Sequence, residues 1–339
     1  MDSHRTFILY ISNHHEWVEL LQYITRVRVK PLIVLRIGAS MDFTLWCCES
    51  EDEEQNIRRV SQDSALTEPR ILESLLNLET RYLPSASYFS SLQSDIRPGM
   101  RTMLANWLLQ VSEELGCSDD IFCLSLNLLD RYLSLVPLER SQFQLLGAAC
   151  LFIACKVRHS DTLSAYSLCF YSDFAFTASE LQEMERIVLN ALRWDVAGIT
   201  PQDFLPHFLE VAGLRESKKG NDKNSVKRIL CSHAKTLVIL CVTETAFLAF
   251  PPSLVAAASL ISALKGMMPA IIQSVTGLAH RIAKAGSADL DVILLCVEQL
   301  ECALTARIED GKRNERKNKK NIEELERSAT PTDLQDVDL

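Results

Sequence analysis

Apolar residues recur at helical spacing over most of this chain, and strand-like alternation is scarce. Ile71, Leu72, Leu75, Leu76 and Leu78 make a first stripe that ends before Pro84. Met100, Leu104, Trp107, Leu108 and Val111 mark a helix over 98–115, and Gly116 supplies its stop. Further helices are predicted over 121–135, 141–157, 163–171 and 177–192. Thr177 is placed to cap the last of these, with Glu180 three residues on in a capping-box spacing. Five helices therefore fit between about residues 95 and 193.

The second half repeats the theme. A shift of 109 residues lays LLGAACLFIACK (145–156) on LVAAASLISALK (254–265), with six of twelve positions identical and no gap. In both segments small residues sit mid-helix: Gly147, Ala148 and Ala149 in one, Ala256, Ala257 and Ala258 in the other. Small side chains let neighbouring helices approach closely, as the central helix of a bundle requires. Alanine-rich helices also agree by chance, so the match alone leaves duplication open.

The flanks differ from this core. Residues 1–40 carry Arg26, Arg28, Lys30 and Arg36 with no acid after Glu19, and read as an atypical extension. Residues 41–65 hold the run ESEDEE (49–54), lack apolar periodicity and read as a flexible acidic segment. Two helical domains are expected over 66–195 and 196–309. Residues 310–339 are so polar that a solvated, disordered tail is expected.

At 339 residues, two domains with ample cores fit the length. The net charge of −9 excludes a global basic field for gripping nucleic acid. Eleven cysteines form no CxxC pair, which disfavours a zinc knuckle or a thioredoxin-like motif. Cys150, Cys155, Cys169, Cys241 and Cys296 lie inside apolar patterns and read as small buried hydrophobes in a reducing compartment. The uncharged stretch 245–264 is long enough on paper to span a bilayer, but Pro251 and Pro252 split it into a buried helix with proline at its start. Neither a membrane association nor a secretion signal is expected.

Catalytic motifs are missing: there is no Gly-rich phosphate loop, no HExxH and no GxSxG. His14-His15-Glu16 lacks a second histidine at helical reach, and His159, His207, His233 and His280 have no spaced partners. No catalytic residue, cofactor or metal is expected, and a binding scaffold fits best.

Residues 100–134 read MRTMLANWLLQVSEELGCSDDIFCLSLNLLDRYLS. The spacing of Arg101, Leu104, Trp107-Leu108 and Leu128-Leu129-Asp130-Arg131 closely resembles the signature of the cyclin box. The likeness extends through QLLGAACLFIACK and ITPQDFLPHFLE. LWCCE after Met41, RYLPSASYF before the box and the terminal SATPTDLQDVDL resemble the D-type cyclins. The resemblance implies an all-α fold of two tandem five-helix cyclin boxes. It also implies a D-type start near Met41, so that residues 1–40 reflect an upstream start or a gene-model extension, with organelle targeting the weaker reading.

The resemblance assigns roles to particular residues. Arg101 and Asp130 match a salt bridge inside the first box and read as structural, since breaking a buried pair strands a charge. Lys156 and Glu185 match the kinase-binding lysine and glutamate; without the family they read as two solvated charges. Phe152, Leu163 and Leu181 either add apolar area to that contact or are plain core. His159 stands where cyclins commonly carry an acid, which puts kinase affinity or choice in doubt. Met100, Leu104, Trp107 and Gln144 match the groove that docks RxL-type peptides of substrates and of Cip/Kip-type inhibitors, with ordinary core as the alternative. Gln110 replaces the groove's acidic member, and an amide holds a peptide arginine more weakly than a carboxylate does.

Leu45, Cys47 and Glu49 form LxCxE, the docking motif for retinoblastoma-type pocket proteins. Alternation puts all three on one side of an extended peptide. Thr330-Pro331 matches the D-type phosphodegron, through which phosphorylation drives nuclear export and recruits a ubiquitin ligase. Thr200-Pro201 reads instead as a helix start. Lys312, Arg313, Arg316, Lys317, Lys319 and Lys320 form either a nuclear-import signal or a solvated helix end.

The expectation is a regulatory subunit, not itself an enzyme, shared between nucleus and cytoplasm. It binds and activates a first-gap-phase cyclin-dependent kinase and directs it to pocket proteins, promoting entry into DNA synthesis. The competing readings are a cyclin-fold adaptor that does not activate a kinase and, less favoured, a transcription-factor-like helical scaffold.

Overall fold

The computed structural model describes residues 68–158, 163–212, 221–267 and 272–328. Among them there is no strand, and every long element is a helix. A first helix, α1 (Pro69–Glu79), precedes a five-helix bundle: α2 (Pro98–Glu114), α3 (Asp119–Leu133), α4 (Phe143–Arg158), α5 (Ala165–Tyr171) and α6 (Ala178–Ala191). A second bundle follows with α7 (Pro201–Val211), α8 (Asn221–Thr243), α9 (Pro252–Met267), α10 (Ile272–Ala285) and α11 (Leu290–Ser328). No helix among the described residues is long and apolar enough to cross a membrane.

Local chemistry sets many of the helix ends. Gly116 takes a φ of +65°, and its N–H and that of Cys117 bond the carbonyls of Glu113 and Ser112 at 3.1 and 2.8 Å. This reciprocal closure uses the left-handed conformation that glycine adopts without a Cβ penalty. The Thr177 hydroxyl accepts from the Glu180 N–H, while the Glu180 carboxylate accepts from the Thr177 N–H at 2.7 Å. At α7, Asp203 accepts from the Thr200 N–H and hydroxyl at 2.7 and 2.8 Å, so Thr200 does open a helix.

The central helices reproduce the repeat. Both α4 and α9 are sixteen residues long and start and end 109 residues apart. Each is buried around almost its whole circumference, as an all-apolar helix must be. Helix α4 packs on α2, α3 and α6; α9 packs on α7, α8, α10 and α11. At Gly147 a Cβ would lie 2.9 Å from Leu104 Cδ1, so this glycine permits the close approach of α2. The five cysteines expected in the core are all buried.

Two buried polar clusters are among the links between the amino-terminal and carboxy-terminal helices. The Arg101 guanidinium, in α2, donates to both carboxylate oxygens of Asp130 in α3 at 3.1 and 2.6 Å. It also reaches the last turn of α8, donating to the carbonyls of Val242 and Thr243 at 2.7 and 2.9 Å. Those carbonyls have no partner within their own helix, and the helix end carries partial negative charge. Tyr88 completes the cluster by donating to Asp130 at 2.9 Å. The side chains of Arg101 and Asp130 are only 1% and 3% exposed. In the second cluster Glu79, at the end of α1, accepts from the Ser253 N–H and hydroxyl at 3.0 and 2.8 Å and so caps the start of α9. Burial raises the Glu79 pKa while the two Ser253 bonds lower it.

The last helix differs from expectation. Polar composition places a tail without structure from residue 310, whereas α11 continues to Ser328. Glu, Lys and Arg are strong helix formers, and no proline interrupts the chain before Pro331. Residues 329–339 lie outside the described residues, as do 1–67.

Two outcomes are expected. Arg101→Ala lowers the unfolding free energy by about 3–5 kcal/mol in urea titration, because it strands a buried carboxylate. The second concerns His207 and His233, whose Nδ1 atoms are buried without a partner and whose pKa values burial pulls down. Each ring is easier to protonate once unfolded. Stability is therefore intact above the unfolded value of about 6.5 and is lost as pH falls below it, through the lowered folded values. Urea midpoints should drop between about pH 7.5 and pH 5.5, and His207→Leu should shrink that drop.

Candidate kinase-contact surface

Lys156 lies in the last turn of α4 and Glu185 in the middle of α6, two helices that pack side by side. The structure brings them together: Lys156 Nζ donates to both Glu185 carboxylate oxygens at 2.6 and 2.8 Å. The lysine is 46% exposed and the glutamate 13%. Nζ also stands 3.9 Å from the centre of the Phe152 ring, one turn back on α4. An ion pair this open to water contributes at most about 1 kcal/mol, so its strength is no reason for its geometry. It leaves one donor and one acceptor fixed at a surface, ready to be shared with exposed backbone of a partner.

Arg158, two residues on, anchors this end of α4 and carries no sequence assignment. It donates to the Gly198 carbonyl and to Asp203, each at 3.2 Å, and meets Asp120 at 3.5 Å. One arginine thus ties α4 to the starts of α3 and α7. The signal available in the sequence is a cation at a helix C-terminus, which complements the helix dipole.

The apolar residues divide in two. Phe152 and Leu181 are core and Leu163 is half-buried. The exposed apolar surface comes from residues with no sequence assignment: Val157 beside Lys156, and Tyr166, Phe170 and Phe174 in and after α5. The Phe174 ring lies 5.7 Å from that of Tyr166 and 6.3 Å from that of Phe170. Their four-residue spacing is the signal that would have found them.

On α2, Met100, Leu104 and Trp107 share a face at helical spacing, with Gln144 on the first turn of the adjoining α4. Leu104 is buried over Gly147, Met100, Trp107 and Gln144 are half-buried, and Gln110 is exposed. Met103, between them in sequence, is among the most exposed apolar side chains. Leu45, Cys47 and Glu49, His159, and Thr330 with Pro331 lie outside the described residues. The backbone of the basic run 312–320 is helical. Among the described residues no group of three His, Cys, Asp or Glu side chains is arranged to hold a metal.

The family comparison bears on the whole chain. A cyclin N-terminal domain model matches residues 70–197, and a cyclin C-terminal domain model matches residues 199–331. The chain is 38% identical over 303 residues to the G1/S-specific cyclin-D1 of Danio rerio, covering 88% of this chain and all of that protein. It is 37% identical over 301 residues to the G1/S-specific cyclin-D2 of Xenopus laevis, covering 87% of this chain and 99% of that protein. The crystal structure of a viral cyclin from herpesvirus saimiri shares the fold, with a TM-score of 0.61 at 23% identity over 70% of this chain and 97% of that one. With both halves of the fold matched and D-type relatives aligned along most of its length, the chain belongs to the cyclin family and, within it, to the D-type cyclins.

Proposed function

We propose that this chain, a regulatory cyclin subunit of cell-cycle kinases by family, binds and activates a first-gap-phase cyclin-dependent kinase and directs it to retinoblastoma-type pocket proteins. The observation that carries the reading is the Lys156–Glu185 pair, held at the surface where α4 and α6 meet. The kinase supplies ATP binding, magnesium and chemistry. The cyclin acts by differential contact: it binds the active arrangement of the kinase more tightly than the inactive one and shifts the population toward it. Val157, next to Lys156, adds exposed apolar area, as do Tyr166 and Phe170 on α5, which packs on α6.

Leu45, Cys47 and Glu49 serve as the pocket-protein motif, with the acids at 51–54 drawn to a basic rim on that partner. Met100, Leu104, Trp107, Gln110 and Gln144 serve as the docking groove for Cip/Kip-type inhibitors and substrates. Leu104 lies deep in the face, so Met100 and Trp107 offer the accessible apolar area. Gln110 makes the groove weaker toward a peptide arginine. Phosphorylated Thr330 recruits a ubiquitin ligase, and the protein divides between nucleus and cytoplasm. The second reading, a cyclin-fold adaptor that does not activate its kinase, is favoured by His159 and Gln110 alone.

The test is co-purification with a first-gap-phase cyclin-dependent kinase, followed by phosphorylation of a pocket-protein fragment. Lys156→Glu sets two acids side by side and is expected to weaken kinase binding by about 2–5 kcal/mol, with matching loss of phosphorylation. Binding without phosphorylation in the unmutated protein would favour the adaptor. Absence of binding by the folded protein would refute both readings. Separately, Glu49→Ala is expected to reduce capture of the pocket-protein fragment about tenfold, a loss of about 1.4 kcal/mol, with kinase co-purification retained.

A further inference from the structure

Two thiols meet at the turn of α4 that carries Lys156. Cys117 follows Gly116, where the chain turns out of α2, and Cys155 immediately precedes Lys156 in α4. Their sulfurs lie 3.7 Å apart, in contact across the two helix ends. Cys155 is buried, while Cys117 is half-buried. The sulfur–sulfur hydrogen bond with Cys117, and then burial, push the Cys155 thiol well up. Of the two, Cys117 is the more open to a solvent-borne oxidant.

We propose that Cys117 and Cys155 form a reversible modification site, oxidised to an intramolecular disulfide by a small disulfide of the glutathione type. In the first step the Cys117 sulfur gives up its proton and attacks one sulfur of glutathione disulfide. The glutathione S–S bond breaks, one glutathione leaves as thiolate and takes up the proton, and the other remains on Cys117. In the second step Cys155 loses its proton and attacks the Cys117 sulfur, expelling the second glutathione, which is protonated in turn. Two cysteine thiols are oxidised by two electrons, and glutathione disulfide is reduced to two thiols. Reduced glutathione in excess runs both steps backward, as a transient bond in a reducing compartment requires.

A disulfide needs its sulfurs about 2.05 Å apart. Closing the 3.7 Å contact draws the end of α2 and the last turn of α4 together. Cys117 already leaves the helix through a left-handed glycine, and its N–H is committed to the Ser112 carbonyl. Cys155 directly precedes Lys156, so the part of the adjustment that α4 takes up falls on the turn that carries the lysine. Weaker kinase binding in the oxidised protein follows from this and rests on the kinase-contact reading above.

The full chain is exposed to oxidised glutathione, alkylated, and examined by intact mass and peptide mapping. A pair of peptides linked through Cys117 and Cys155, two hydrogens lighter than their sum and separated by a dithiol reductant, is expected. Cys155→Ser should instead stop with one glutathione on Cys117, and Cys117→Ser should form no bond to Cys155. Absence of the linked peptide in the folded wild type would overturn the site. Amide hydrogen exchange over 150–158 should differ between oxidised and reduced wild type and not between treated and untreated Cys155→Ser; no difference in wild type would overturn the coupling to α4. That readout needs no kinase, so it separates this inference from the kinase reading. In a kinase-binding assay the oxidised wild type should bind several-fold more weakly than the reduced form, and equal affinity would overturn the functional consequence.

Discussion

The buried Arg101–Asp130 pair is the interaction on which the rest of the arrangement depends. Taking two charges out of water is expensive and is offset only when geometry and remaining hydrogen bonds are nearly complete. Here they are: Asp130 accepts from two guanidinium nitrogens and from Tyr88, and Arg101 spends its other Nη group on two carbonyls of α8. Four separate pieces of chain therefore converge on one ion pair. Because the α8 carbonyls belong to the second bundle, the same guanidinium that organises the first bundle also sets where the second one sits. Arg307 repeats the idea from the other side, joining α11 to Glu244 just past α8 and to Asn106 on α2.

Features decided by neighbouring residues are legible in the sequence. Gly116 ends a helix, Thr177 with Glu180 starts one, and small residues at 147–149 and 256–258 mark the two central helices. Features decided by distant residues are not. Glu79 sits at the end of an apolar stripe and looks like a surface acid, yet its partner Ser253 is 174 residues away. The Val242 and Thr243 carbonyls leave no mark on the sequence around Arg101. The reach of α11 is hidden for a different reason: polarity measures what a helix can bury, whereas its backbone continues on propensity alone.

The candidate site shows the same division. As bare sequence, Lys156 and Glu185 are two charges among many, and only family likeness singles them out. Their contact depends on how α4 packs against α6, while Arg158 ties the same end of α4 to α3 and α7. Helical spacing places Leu104 on one face with Met100 and Trp107 but cannot say how deep it sits. Gly147 decides that, by letting α2 approach until Leu104 is covered. A glycine in a facing helix thus fixes which members of a surface row remain available to a ligand.

The long reach of Arg101 also has a consequence in time. A ribosome delivers the chain from its amino end, and Thr243 is added 142 residues after Arg101. At about 5–20 residues per second that interval is roughly 7–28 s. Until then the first bundle has its arginine and aspartate but not the two carbonyls that complete the cluster, and Glu79 has no helix to cap. The amino-terminal half is thus born with polar groups that its own residues do not satisfy, and it reaches its final stability only when the carboxy-terminal half arrives. A chain cut between the two bundles would carry that unfinished state permanently, exposing to quality control what the whole protein conceals.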